Sequence, residues 1–481
     1  MRRRYWWWLC TALWTLTFWR AAIAAKQVLI MVPFTEMDPT TNTLQIRRIM
    51  VEPVIELASE RIIADGLVSP GDIQLKYVDT ECSDIFGPVR AVEAYKSGQI
   101  DAIIGLVCSY ALAPVARMAP HWFSGVPILT PGGMVPDFSH KKTDYQTLTR
   151  MNGSHDQLSR FMHLIFKQLD FTKMTMLINS NIGVPGNPGR TECEFQFFAI
   201  HGFLEKQGQI NPDWFQSVKP FHRFSEIRDK FCHNGSDDMC VEKMSEFLKP
   251  MSKEANVILL CASPDVIRNI MLAAHDLNMV QSGEYVFFNI EVSSGPQTEK
   301  PWERLNDTDE KNQKAKEAYS ALKTITLKRS NSTEYKEFEK RVREIAHTEY
   351  HYKEVMGKDY ELNSFISAFH DAIVLYASAL NESIQEQGSP DNGTEITKRM
   401  WGKTVKGMTG TVTIDENGDR YSDYSLLDMD PVTGKFEPVV DYYGATQELR
   451  QVGTWHWVKG NVPKDTPVCG YDKSLCPEKG N

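Results

Sequence analysis

Thiols and imidazoles are where this sequence could do covalent or metal chemistry, so their spacing is weighed first. Nine cysteines occur: Cys10 near the amino end, then Cys82, Cys108, Cys193, Cys232, Cys240, Cys261, Cys469 and Cys476. A thiol can attack an electrophile, ligate a metal or close a bridge, and the redox compartment decides among these. His347 and His351 in "HTEYH" have the i, i+4 spacing of a zinc pair, but no Glu stands in the general-base place of a zinc hydrolase. "GVPGNPGRT" at 183–191 lacks the spacing and the lysine of a phosphate loop and reads as a solvent loop. The Gly-X-Ser-X-Gly elbow of serine hydrolases is absent. The residues favour a binding module over a catalyst.

The compartment follows from the amino end. Arg2, Arg3 and Arg4 precede an apolar run from Tyr5 to Trp19, and small residues follow at Ala21, Ala22, Ala24 and Ala25. This describes a secretory signal peptide over residues 1–25, with a retained signal anchor as the alternative. Eight cysteines then remain, an even number that in an exported chain points to disulfides. Six Asn-X-Ser/Thr sequons, at Asn152, Asn234, Asn306, Asn331, Asn381 and Asn392, mark candidate glycosylation sites on an extracellular protein. Losing the leader removes four arginines and no acids, taking the formal charge from −9 to −13. An acidic surface disfavours nucleic acid and anionic membrane. No later stretch reaches the ~18 apolar residues of a membrane span. Any membrane attachment would come through a segment beyond "CGYDKSLCPEKGN".

The elements that must position these residues alternate. "KQVLIMVPF" leads to a helical stretch around Ile46–Ala64, "IQLKYVDT" to Pro88–Ser97, and "DAIIGLV" to Ala111–His121. "KMTMLINS" precedes a helix near Glu192–Gln207, and "NVILLCAS" precedes Pro264–Leu277. Such alternation predicts an α/β fold of parallel sheets covered on both faces, and the length predicts two domains. Ligands in such sheets bind beyond the carboxyl ends of the strands, which is where Cys108 and Tyr110 fall. Pro301–Val355, charged and helical in pattern, reads as a solvated flank without strands.

Several stretches resemble one family. "ECSD", "CSYALAPVARMAPHW", "PILTPGG", "CASPDVIRNIMLAAHDLNMVQSGEYVFFNIE", "PWERLND", "FHDAIVLY", "RMWGKTVKGMTGTVTIDENGDRYSDYSLLDMDPVTGKF" and "PVCGYDKSLC" are similar to the hormone-binding ectodomain of natriuretic peptide receptors and related receptor guanylyl cyclases. The match covers nearly the whole chain after the leader, in order. It implies a type I periplasmic-binding-protein-like fold: two doubly wound parallel-sheet lobes joined by three crossovers. The expected division is 26–125 plus 291–405 for a membrane-distal lobe and 126–290 plus 406–468 for a membrane-proximal lobe. Residues 469–481 form a juxtamembrane tail.

The resemblance also orders the cysteines. It implies bridges Cys82–Cys108, Cys193–Cys261 and Cys469–Cys476. Cys232 and Cys240 remain, inside "FCHNGSDDMC", and are expected to close a local bridge through the turn that "HNGSDD" supplies. Positions matching Asp84, Tyr110, Arg117, Tyr145 and Phe195 contact or border the peptide hormone in the family. His121 and Trp122 match a His-Trp pair near a dimer contact, so a homodimer is implied. No cofactor is expected beyond the chloride that the family binds beside the first bridge, here near Cys108: the family's Gly is Val107, which can still donate its backbone N–H, while Asp79 or Glu81 would repel an anion. "INPDWFQSVKPFHRF" has no clear family equivalent, which points to a different peptide. The implied function is a non-enzymatic hormone-binding domain controlling cyclic GMP synthesis by a cyclase outside this chain. The alternatives are a secreted decoy or clearance-type binder, or a small-molecule binder with amino-acid-like ligands in the cleft.

Overall fold

The structure, a computed structural model, describes residues 24–34, 46–180, 190–210, 217–218, 222–225, 232, 237–293, 299–352 and 362–476. The leader through residue 23, the Asn234 sequon and most of 183–191 lie outside the described residues.

Five strands build the first sheet: β1 (Lys26–Val32), β2 (Ile73–Asp79), β3 (Ala102–Gly105), β4 (Ile128–Thr130) and β5 (Leu148–Arg150). All pair in parallel, in the order β2-β1-β3-β4-β5. The apolar run of β1 is buried on both faces: Val28, Ile30 and Val32 enter one core cluster, Leu29 and Met31 another. A strand covered on both sides needs such a continuous run rather than an alternating one.

The second sheet takes β6 (Lys173–Asn179), β7 (Ser217–Val218), β8 (His222–Phe224), β9 (Val257–Cys261), β10 (Val286–Ile290) and β11 (Leu322–Leu327). A separate hairpin, β12 (Thr404–Lys406) with β13 (Thr411–Thr413), precedes β14 (Tyr424–Met429), β15 (Phe436–Tyr443) and β16 (Glu448–Gln451). The order is β16-β15-β14-β11-β10-β9-β6-β7, parallel from β6 to β11 and antiparallel beyond. The apolar Ser364–Gln385 helix packs on the Arg48–Ala64 helix of the first lobe.

The chain crosses between lobes three times: after β5, after β11, and between β13 and β14. These crossings fall later than the expected boundaries at 125 and 290. Strands β4 and β5 pair into the first sheet, while β11 lies at the centre of the second. Pro301–Val355 is therefore not strandless. "LKTITL" is a fully buried strand between two charged helices, and its Lys323 is tolerated there because it meets Asp428 at 2.6 Å.

A buried ion cluster ties the first crossing to the third. Arg150, fully buried, donates through Nε and Nη2 to both Asp419 oxygens at 2.6 Å. Lys141 reaches the same carboxylate at 2.9 Å. Burial pushes the Lys141 ammonium down to about 8 against the pull of Asp419. Burial pushes the Asp419 carboxyl up, yet the Arg150 and Lys141 charges prevail and hold it below its usual range.

After β16 the chain passes beneath the second sheet. Asp465 accepts from Thr172 N at 2.6 Å and Lys173 N at 3.0 Å, at the start of β6. Asn256, just before β9, donates to Lys464 O at 2.8 Å and Thr466 O at 3.1 Å.

Candidate functional site

The carboxyl ends of β1, β2 and β3 make the rim the sequence singles out. Strand β3 ends at Gly105, whose φ is +126° and where a Cβ would stand 2.2 Å from Met31 O, so no side chain fits. Opposite it, the loop after β2 is folded by its own polar groups. The Asp79 carboxylate accepts from Phe34 N and Glu81 N at 3.1 and 3.0 Å. Ser83 Oγ accepts from Ile85 N and Phe86 N, both at 3.1 Å, and starts the Phe86–Lys96 helix. Cys82 bridges Cys108, Cα to Cα 5.4 Å, and the Ser109–Met118 helix begins at the next residue.

Asp84 and Tyr110 thus flank one bridge, each two residues past its cysteine, and both are exposed. Tyr110 also reaches the other lobe. Its ring lies 5.9 Å from that of Phe195, tilted by 50°, and its hydroxyl accepts from Arg190 N at 2.6 Å. Phe195 sits on the Glu192–Ile210 helix, which Cys193 staples to Cys261 at the end of β9. Buried Glu194 fixes the start of this helix, accepting from Ser180 Oγ at 2.8 Å and Thr191 N at 3.0 Å. Glu192 meets the buried His155 at 2.7 Å. Arg190 is exposed, with its guanidinium 4.5 Å over the Phe198 ring. A phenol, a half-buried phenyl and a cation therefore line the junction of the two lobes, and the exposed Asp84 carboxylate stands beside the bridge that holds Tyr110.

The structure brings together Tyr110 and Phe195, leaves Asp84 exposed beside the same bridge, and corrects two other expectations. Tyr145 is 2% exposed, packed edge-on against Phe138 at 5.0 Å under the Arg117 guanidinium at 5.5 Å. Burial raises its phenol, with Arg117 opposing. It is a core residue rather than a ligand contact. Arg117 is exposed on the Tyr110 face of the helix, two turns on. Trp122 is likewise buried, stacked on Tyr95 at 5.1 Å, so it offers little surface to a partner chain. His121 is exposed, and so is Phe123, which the sequence reading passed over.

All four expected bridges are present, including Cys232–Cys240 and Cys469–Cys476. Among the sequons, Asn306 and Asn331 are exposed. Asn152 is buried, and its Nδ2, the atom a glycan would join, donates to Pro131 O at 2.8 Å. Asn381 and Asn392 are half-buried, and Asn392 caps the Gly393–Met400 helix. In the loop after β2, the N–H groups of Phe34 and Glu81 are committed to the Asp79 carboxylate. The Thr333–Thr348 helix ends before His351, so His347 and His351 do not share a helical face. Arg190 was missed because its position next to Tyr110 depends on the lobes meeting, which no local pattern encodes.

Two α/β lobes with three crossings are the architecture of type I periplasmic binding proteins. An ABC-transporter solute-binding protein from R. palustris, solved in complex with benzoate, superposes with a TM-score of 0.58 at 13% identity, covering 90% of this chain and 99% of that one. The leucine binding protein LivK from Thermotoga maritima gives 0.56 at 16% identity, covering 88% and 100%. The family described as "Receptor family ligand binding region" matches residues 50–432, and the chain belongs to it.

Its relatives are receptor guanylate cyclases and natriuretic peptide receptors. The receptor-type guanylate cyclase gcy-28 of Caenorhabditis elegans is 43% identical over 94% of this chain, which spans 37% of that protein's length. Atrial natriuretic peptide receptor 3 of Rattus norvegicus is 31% identical over 88% of this chain and 74% of its own length. Atrial natriuretic peptide receptor 2 of Bos taurus is 30% identical, and the chain covers 38% of it. No described helix is long and apolar enough to cross a membrane.

Proposed function

We propose that this chain is the extracellular hormone-binding domain of a receptor guanylyl cyclase. It takes a peptide at the lobe junction as a homodimer and controls cyclic GMP synthesis by a cytoplasmic part outside this chain. The first lobe is membrane-distal, the second membrane-proximal, and residues 469–481 are the juxtamembrane tail. The observation that carries the reading is the stapled rim. Asp84 and Tyr110 are exposed on either side of Cys82–Cys108, and Tyr110 meets Phe195 of the other lobe. An exposed carboxylate can pair with an arginine of a peptide, and aromatic anchors give it contact area. Ligand-dependent preference for one dimer arrangement then shifts populations between signalling states. His121 and Phe123 are the residues offered for the distal dimer contact.

The test fuses residues 26–481 to a receptor cyclase tail and screens peptide extracts for cyclic GMP production. A peptide response lost in Asp84→Asn and Tyr110→Ala is expected. A response to free amino acids but to no peptide would instead favour the cleft-binding alternative.

A further inference from the structure

A cavity of about 830 Å³ opens where the three crossings meet, far too small for a folded peptide and within the size range of small-molecule sites. Asn152 comes from the first crossing, Ser330 from the second, Thr409 and Thr411 from the hairpin that leads into the third, and Arg420 and Ser422 from the third itself.

Arg420 is unusual among the cations here. It is 9% exposed, and no carboxylate lies within ion-pair distance of it among the described residues. Its Nη1 donates to Thr409 Oγ1 at 2.8 Å and Met151 O at 3.3 Å, while Nε has no acceptor. Its nearest acids, Asp371 and Asp423, attract it from beyond contact distance and hold other hydrogen bonds. Asp371 accepts from Met408 N, Thr409 N and His370, and Asp423 accepts from Gly444 N. Lys328 is neutralised by Asp441, and Arg450 pairs with Glu448. Buried Ser422 adds a second orphan, an Oγ with no partner among the described residues. A buried guanidinium edge without an acceptor and a buried hydroxyl without a bond are both costly unless something completes them. Leu427, Phe436 and Pro438 line the same cavity, so its wall also receives an apolar body.

We propose that this cavity binds a small organic monocarboxylate, its carboxylate meeting Arg420 and Ser422 and its apolar part resting on Leu427 and Phe436. The free Nε edge of Arg420 and the Ser422 hydroxyl are the two donors that a carboxylate would accept from. The apolar wall distinguishes an organic acid from an inorganic anion. The proposal does not depend on the peptide reading, because neither Asp84 nor Tyr110 takes part.

Isothermal titration and thermal melting of the purified chain, with no peptide present, test it. The probes are hexanoate and phenylacetate, the matching amides hexanamide and phenylacetamide, and inorganic phosphate. Saturable heat and a raised Tm are expected with the carboxylates alone. Arg420→Gln should weaken them roughly tenfold or more, the loss of a charge-assisted bond. Should that variant fail to fold by circular dichroism, Thr411→Trp decides. Thr411 is exposed on the cavity wall, and an indole there should block entry to a similar extent. Equal binding of the amides, equal or tighter binding of phosphate, no saturable binding of either carboxylate, or unchanged binding in a folded variant each overturns the proposal.

Discussion

Tyr110 and Phe195 stand ring to ring at 5.9 Å, one on each lobe, and Phe195 packs against the first lobe's own core. The rim is therefore shared between the lobes rather than owned by one. Aromatic pairs of this kind contribute about 0.5–1.5 kcal/mol beyond the area they bury. A double-mutant cycle of Tyr110→Ala and Phe195→Ala, followed by urea unfolding, should return a coupling of that size. Strict additivity of the two single effects would show that the rings do not interact in solution.

The Arg150–Asp419 pair makes a larger prediction. Asp419→Asn leaves two buried cations, Arg150 and Lys141, facing a neutral amide. Removing one partner of a buried pair typically costs about 3–5 kcal/mol. A drop of that order in unfolding free energy is expected. A change under about 1 kcal/mol would mean that water reaches the cluster.

Glu291 follows β10, and burial raises its carboxyl to about 7, with Arg304 opposing. In the unfolded chain the group ionises near 4.5. The native state then binds the extra proton between these values, so stability falls as pH rises from about 4.5 to about 7 and levels off above. Glu291→Gln should flatten that slope and be the more stable form at neutral and alkaline pH. Identical stability-versus-pH curves for the two proteins would remove burial as the cause.

Glycopeptide mapping of secreted protein should find carbohydrate at Asn306 and Asn331 and none at Asn152. Occupancy of Asn152 would require the loop around Pro131 to rearrange, since its Nδ2 bond to Pro131 O would be lost.

Much of the fold was legible because buried parallel strands leave apolar runs, as in β1, β3 and β9, each followed by an amphipathic helix. Six thiols paired as the family resemblance implied, and Cys232 and Cys240 closed the local bridge expected of the two that remained. Strand β11 was hidden for a physical reason: "LKTITL" is short, carries a lysine, and lies between helices rich in charge, so the solvated faces dominate the local pattern. The crossings were misplaced with it. Tyr145 and Trp122 were read as surface residues because an aromatic beside polar neighbours looks the same in sequence whether it faces water or the core. Only the packing of Phe138 and Tyr95 against them settles which.

The Asp465 and Asn256 clasps have a mechanical consequence. They fasten the chain leaving the second lobe to the base of that lobe's inner strands, and Cys469 N continues the seam by donating to Glu284 at 3.2 Å. A swing of the second lobe cannot be soaked up as slack between Gln451 and Cys469. Whatever lies past the terminal bridge inherits the rotation nearly in full, as a key turns with its bow.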